Sequence, residues 1–353
     1  MRVIAALCLA FLIAGCASSS MPLPRLARDP GAPGANFVTP ALGATELVAA
    51  DGTRLPLASW LPEGEPRAVV LALHGFNDYS NAFATPAPSF AAHGIATYAY
   101  DQRGFGEAPG TGRWAGGERM AADAAIAARL LRQRYPGVPL YLMGESMGGA
   151  VAMLAAAGTE SVAPADIDGV ILVAPAVWGR QTMNIFERAG LFLSRLMPSM
   201  HLSGRSLPIK VMASDNIPML RAYGADPLVL KETRADTLNG LVDLMSAALQ
   251  AAPRLARPAL VLYGQKDEIV PRGPVAQMVA SLPAGARAQQ RVAWYPNGWH
   301  MLMRDLHGAE VSRDVVGWIA DRDAPLASGY DRGARAALTG ERDELMTAGV
   351  SVR

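Results

Sequence analysis

The sequence predicts an α/β domain built on a mainly parallel, doubly wound sheet. Short, continuous apolar runs at residues 68–73, 95–100, 140–143, 169–174, 259–263 and 290–294 look like strands buried on both faces. Helical stretches separate several of them, and that alternation favours crossover connections with helices on both sides of the sheet. Of the 353 residues 51% are hydrophobic, and the net charge is only +1, so the chain can bury a large core and nothing opposes collapse. The same near-neutral balance supplies no basic footprint for nucleic acid, and no nucleic-acid partner is expected.

The chain begins differently. A single Arg2 precedes an apolar run over residues 3–14, followed by Gly15 and Cys16. The run is too short to span a hydrocarbon core, which takes about 20 helical residues, and reads as an export signal. Leu12-Ile13-Ala14-Gly15-Cys16 resembles the bacterial lipobox, which implies cleavage before Cys16 and acylation of that residue. Residues 1–15 are then a signal peptide and residues 16–43, rich in Pro, Gly and Ala, a lipidated N-terminus and flexible tether. Several acyl chains on one residue anchor stably, since each buried CH₂ contributes about 0.8 kcal/mol. The expected location is a bacterial cell envelope, with the membrane as partner through Cys16. Ala17, in place of the Asp associated with inner-membrane retention, favours the outer membrane if the organism is Gram-negative. Cys8 leaves with the signal and Cys16 is used by lipid, so the mature fold has no disulfide, cysteine nucleophile or thiolate metal site.

The core of the domain is expected over residues 44–175 and 258–322. It opens with a hairpin, 45–50 and 55–61, turned by Asp51-Gly52, where glycine supplies the positive φ of a tight turn. In the helical stretch 118–135, Ile126 and Leu130 stand i, i+4 beside Ala127 and Leu131, with Arg129, Arg132 and Arg134 free to face water. About 80 residues separate the fourth and fifth strands of the parallel series, far more than an ordinary connection, and residues 176–257 are read as an inserted helical cap. Residues 323–353 lack sustained periodicity and are expected to form a peripheral tail.

Reactive groups in such sheets gather at the carboxyl ends of the strands. Gly144-Glu145-Ser146-Met147-Gly148-Gly149 follows one strand directly and precedes the alanine-rich helical run 150–157. This G-x-S-x-G pattern in a strand–turn–helix context places Ser146 as the candidate nucleophile, with Gly144 and Gly148 making room for the turn. A Gly-rich turn can also arise without chemistry, so the partners decide. A serine hydroxyl needs a base oriented by a carboxylate. Of five histidines, His300 lies in a loop after the last strand, whereas His74, His93, His201 and His307 occupy turns, helix ends or the insertion. Asp267 follows the strand 259–263 through Gly264 and is the candidate acid; Glu268 competes with it, and a capping role for Asp267 stays open.

The order Ser146, Asp267, His300 is that of the α/β-hydrolases, and the chain resembles that superfamily from about residue 45 to residue 321. The resemblance implies the α/β-hydrolase fold with a cap, and an oxyanion hole made by the backbone N–H groups of Phe76 and Met147. Within the superfamily the chain is similar to the monoacylglycerol lipase and lysophospholipase group, also labelled serine aminopeptidase-like hydrolases. Four stretches carry the likeness: His74-Gly75-Phe76-Asn77-Asp78, Asp101-Gln102-Arg103-Gly104-Phe105-Gly106, the Ser146 motif, and Asp226-Pro227-Leu228 leading to Asp243-Leu244-Met245. Phe105 and Glu107 depart from the His and Ser frequent in the group. Asp101 and Arg103 are read as loop-shaping residues, and His74 as a shaper of its turn.

The resemblance implies a serine hydrolase of carboxylic esters, monoacylglycerol-like or lysophospholipid-like, with no cofactor and no metal. Phe186, Phe192 and Met197, spaced helically in the insertion, are candidates for an acyl-binding wall. A peptidase or amidase on the same triad is the alternative enzyme, and a non-catalytic lipid-binding envelope protein the alternative from another class.

Overall fold

The computed structural model describes residues 38–203 and 211–340. Among them the strands are β1 (Ala41–Leu42), β2 (Glu46–Val48), β3 (Arg54–Trp60), β4 (Ala68–Leu73), β5 (Ile95–Tyr100), β6 (Leu140–Glu145), β7 (Gly169–Val173), β8 (His201–Ser203), β9 (Glu232–Arg234), β10 (Ala259–Gly264) and β11 (Gln290–Tyr295). The α-helices are α1 (Ala87–Ala92), α2 (Gly117–Arg134), α3 (Met147–Ala157), α4 (Ile185–Ser194), α5 (Ile217–Ala225), α6 (Ala235–Ala251), α7 (Arg272–Ser281), α8 (Gly308–Ala320) and α9 (Ala334–Thr339). All six expected buried strands form, and the three that lead to Ser146, Asp267 and His300 each run further than their apolar letters suggest. β6 continues through Glu145, β10 through Gly264 and β11 through Tyr295, because cross-strand pairing rather than hydrophobicity sets where a strand stops.

Nine strands make one sheet in the order β1-β2-β3-β5-β4-β6-β7-β10-β11. The first three pair antiparallel, as does β3 with β5, and the rest are parallel. The chain leaves β4 for β5 on one side and then crosses to β6 on the other. Strand order therefore reverses at β4, and the crevice beyond the ends of β4 and β6 is the natural place for a site.

Alternation along each strand distributes the core. Val69, Leu71 and Leu73 of β4 join Met120, Leu131, Val151 and Leu154 on one face. Val70 and Ala72 join Phe83, Phe90, Val315 and Trp318 on the other. Burying a side chain of this size is worth roughly 1.5–3 kcal/mol, so two such layers hold the strand ends rigidly in place.

Between β7 and β10 lie α4, the antiparallel ribbon β8–β9, α5 and α6. α6 packs on α2 and α3, and its Val242, Leu244, Met245 and Leu249 belong to their core. The described part of the expected tail, residues 323–340, is not peripheral. Leu326, Ala334 and Leu338 are buried, α9 packs on α7 and β11, and Asp331 pairs with Arg291 of β11 at 2.6 Å. Three apolar anchors spread over a dozen residues suffice to dock this segment without producing a periodic pattern.

Candidate active site

The turn from β6 into α3 is tight. A Cβ on Gly144 would stand 2.2 Å from Gly148 O, and one on Gly148 would stand 2.0 Å from Leu73 O, so neither position accepts a side chain. Ser146 between them has φ 53° and ψ −117°, a conformation that costs a non-glycine residue about 1–3 kcal/mol. Its side chain makes no capping hydrogen bond to the helix it precedes, which leaves the hydroxyl for chemistry. Met147 opens α3, where backbone N–H groups have no earlier carbonyl to meet and carry the positive end of the helix dipole.

The turn after β4 lies against this elbow: a Cβ on Gly75 would be 3.4 Å from Ser146 Cβ. His74 is buried and fully engaged. Its Nδ1 is 2.8 Å from Gly75 O, while Gln102 N–H donates to Nε2 at 2.9 Å and Gln102 Nε2 donates to His74 O at 2.8 Å. A carbonyl only accepts, so Nδ1 bears the proton, Nε2 is the acceptor and the ring is neutral. Burial pushes its pKa down, consistent with a structural role. Phe105 is buried edge-on against both His74 and Phe76, with centroids 5.8 and 5.5 Å apart. Asp101 acts on backbone, accepting from Ser80 N and Glu107 N at 2.9 Å each, whereas Arg103 ties the loop to the carboxylates of Asp123 of α2 and Asp51 of the hairpin turn at 2.6 and 2.9 Å.

His300 and Asp267 come from the loops after β11 and β10, on the same carboxyl edge of the sheet as Ser146. The loops interlock at Gly264, where a Cβ would be 2.4 Å from Gly298 O. Asp267 Oδ2 accepts from His300 Nδ1 at 2.8 Å, and Oδ1 accepts from Ile269 N and Val270 N at 2.8 and 2.9 Å. Asp267 thus caps its own loop with one oxygen and holds the imidazole with the other. Glu268 accepts instead from Met212 N at 2.8 Å. With Nδ1 donating, the lone pair of a neutral His300 sits on Nε2. Burial pulls the His300 pKa down, but the charge and hydrogen bond of Asp267 outweigh it and the net shift is upward, with Glu145 adding to the rise and Arg304 opposing it. Within the trio the direct hydrogen bond is between Asp267 and His300, and Ser146 stands on the same carboxyl edge of the sheet.

One feature escaped the sequence reading. Arg304, four residues after His300, is buried, donates to Glu145 Oε1 at 2.9 Å and forms an ion pair with Asp78 Oδ2 at 2.8 Å. A charged residue in a loop ordinarily signals a solvated surface, and the only local hint was an acid standing immediately before the nucleophile.

Phe186, Phe192 and Met197 stand on or just after α4 and are 75%, 64% and 47% exposed, beside exposed Ile185, Leu193 and Leu196. They form an outward apolar face of the insertion. A cleft of about 460 Å³ opens elsewhere, among Trp114, Leu154, Asn239, Asp243, Leu244 and Ala247, and includes none of Ser146, Asp267 or His300. Cys16 and the leader lie outside the described residues. Among the described residues no helix is long and apolar enough to cross a membrane, and no group of three or more His, Cys, Asp or Glu is placed to hold a metal ion.

Comparison with known proteins agrees with this geometry. The family model described as serine aminopeptidase, S33 matches residues 64–307. Monoglyceride lipase of Mus musculus is 28% identical over 300 residues, covering 80% of this chain and 92% of the relative. Monoacylglycerol lipase of Mycolicibacterium smegmatis is 26% identical over 282 residues, 76% of this chain and 93% of the relative. Among solved structures, Paleococcus ferrophilus monoacylglycerol lipase superposes with a TM-score of 0.62 at 24% identity, covering 75% of this chain and 98% of its own. A soluble variant of monoglyceride lipase from Saccharomyces cerevisiae gives 0.65 at 20% identity, covering 82% and 98%. The family match over most of the chain and the shared fold together place it: this chain belongs to the serine aminopeptidase S33 family, in the monoglyceride lipase-like group of the α/β-hydrolases.

Proposed function

We propose that this chain, a carboxylic ester hydrolase, cleaves monoacylglycerol-like or lysophospholipid-like esters through Ser146, His300 and Asp267. The observation that carries the assignment is the 2.8 Å hydrogen bond from His300 Nδ1 to Asp267 on the sheet edge where Ser146 is held in a strained turn. Ser146 Oγ attacks the ester carbonyl as its proton passes to His300 Nε2. Asp267 keeps that tautomer and stabilises the imidazolium, and the N–H groups of Phe76 and Met147 receive the oxyanion. His300 then protonates the leaving alcohol, and a water activated by the same imidazole releases the acid from the acyl-enzyme. The relatives named monoglyceride lipase and the exposed apolar face of α4 support an amphiphilic ester. A second reading, an amidase or aminopeptidase on the same residues, is favoured by the family description alone. Side-by-side turnover of a monoacylglycerol, a lysophospholipid and amino-acid amides separates them. Release of fatty acid at rates at least tenfold above amide cleavage is the expected result; the opposite ranking would replace the ester reading with the amidase one. We further propose that the protein works at a membrane, held by acylated Cys16.

A further inference from the structure

We infer that Arg304, Glu145 and Asp78 form a positioning cluster that fixes the His300 loop against the nucleophile elbow and the oxyanion turn, an inference that rests on the triad proposed above. The placement is what points to it. Glu145 immediately precedes Ser146, Asp78 lies two residues after Phe76, and Arg304 lies four residues after His300, so each member belongs to a different segment of the site. A single guanidinium bridges the other two at 2.8 and 2.9 Å, with the three side chains only 7%, 4% and 2% exposed. Tyr223 of α5 covers the guanidinium, its ring centroid 5.8 Å away, so the insertion closes over the same point.

Ion clusters of this burial are poor stabilisers, because desolvation offsets their attraction, and apolar packing would hold the core at least as well. A planar guanidinium does something else: it donates to Glu145 in a fixed direction while its other nitrogen pairs with Asp78, which a point charge on a flexible stem does not do at a fixed angle. The need is local. His300 sits in a loop with one short 3-10 turn, Leu302–Arg304, whereas Glu145 ends a central strand. Arg304 therefore transfers the rigidity of β6 to the loop that carries the base.

The cluster also biases charge. The charged groups acting on His300 are Asp267 from the loop after β10, Glu145 from the elbow and Arg304 from its own loop. Glu145 favours the imidazolium and Arg304 disfavours it. A role confined to stability would make all substitutions lose activity alike, whereas this cluster predicts opposite displacements of one titration.

The test is the pH dependence of kcat/KM on a short soluble ester for the full-length protein and for Glu145→Gln, Arg304→Gln and Arg304→Lys, with melting temperature alongside. The acid limb of Glu145→Gln should move down by about half a pH unit or more, and that of Arg304→Gln up by a similar amount. Arg304→Lys keeps the charge but not the fork, so its limb should stay within about 0.2 unit of the parent while kcat falls roughly tenfold with KM little changed. Glu145→Gln is isosteric and, with Arg304→Lys, decides the matter if Arg304→Gln does not fold. Limbs that stay put in Glu145→Gln, or wild-type kcat in Arg304→Lys, would overturn the inference. Labelling of the same preparations with a fluorophosphonate separates the two levels. Absence of label at Ser146 in the parent defeats the triad itself, and labelled Ser146 with unmoved limbs defeats only the cluster.

Discussion

The sequence singles out Ser146, Asp267 and His300 because each stands where the backbone pattern changes: a strand meets glycine, and then a residue that acid–base chemistry needs. Asp267 was preferred to Glu268 for its place after the strand and the Gly264 turn. The fold pairs Asp267 with His300, while Glu268 holds Met212 N. Asp267→Asn should therefore reduce kcat by about 10⁴-fold, and Glu268→Gln by less than about tenfold. The pH profile follows with its sign. His300 is the base only when neutral, and its pKa lies above the ordinary 6.5, since Asp267 outweighs the effect of burial. Activity should accordingly fall as pH drops through a value above 6.5, and Asp267→Asn should displace that limb downward. A parent limb well below 6.5, measured as kcat/KM against pH, would contradict this account of the imidazole.

Among the elements, the central strands were readable as continuous apolar runs because helices cover both faces of the sheet, and α2 from the helical spacing of its one buried face. The insertion was not readable in the same way. An apolar stripe reports that a face avoids water in some state, without saying what covers it. α6 turns its stripe into the core shared with α2 and α3, whereas α4 buries Leu191 and leaves Phe186 and Phe192 exposed. Exposed apolar residues cost little stability to remove, so Phe186→Ala and Phe192→Ala should leave the melting temperature nearly unchanged. If this face receives acyl chains, each sheltered methylene is worth about 0.8 kcal/mol, and three lost methylene contacts should lower kcat/KM for a long ester more than tenfold relative to acetyl ester. Equal loss at every chain length from acetyl to palmitoyl would show that α4 has no part in acyl recognition.

For the molecule as a whole, the α/β class followed from strand and helix alternation, and the candidate residues were sought at the carboxyl ends of the strands; the reversal of strand order at β4 is visible only in the fold. The docking of residues 326–340 was hidden because its anchors, Leu326, Ala334 and Leu338, are few and far apart. The proposed tether belongs to this scale; the expected bound at residue 43 is too late, because Ala41–Leu42 already pair with β2 as β1, and with Cys16 acylated the residues before β1 would set how far the hydrolase reaches from a lipid surface. Cys16→Ser should leave an unprocessed precursor or release the protein from membranes, and intact mass spectrometry should find acyl mass on the mature N-terminus of the parent alone. An unmodified Cys16 in the parent would refute the anchor while leaving the chemistry untouched.

The central claim is that the Asp267–His300 pair makes Ser146 a nucleophile. Its most direct measurement is stoichiometric reaction with a fluorophosphonate, followed by peptide mass mapping and by ester turnover of the reacted protein. One label per chain on Ser146, complete loss of turnover, and no labelling of folded Ser146→Ala or His300→Ala are the predicted results. Label on another residue, or turnover persisting in Ser146→Ala protein with an unchanged melting temperature, would contradict the account.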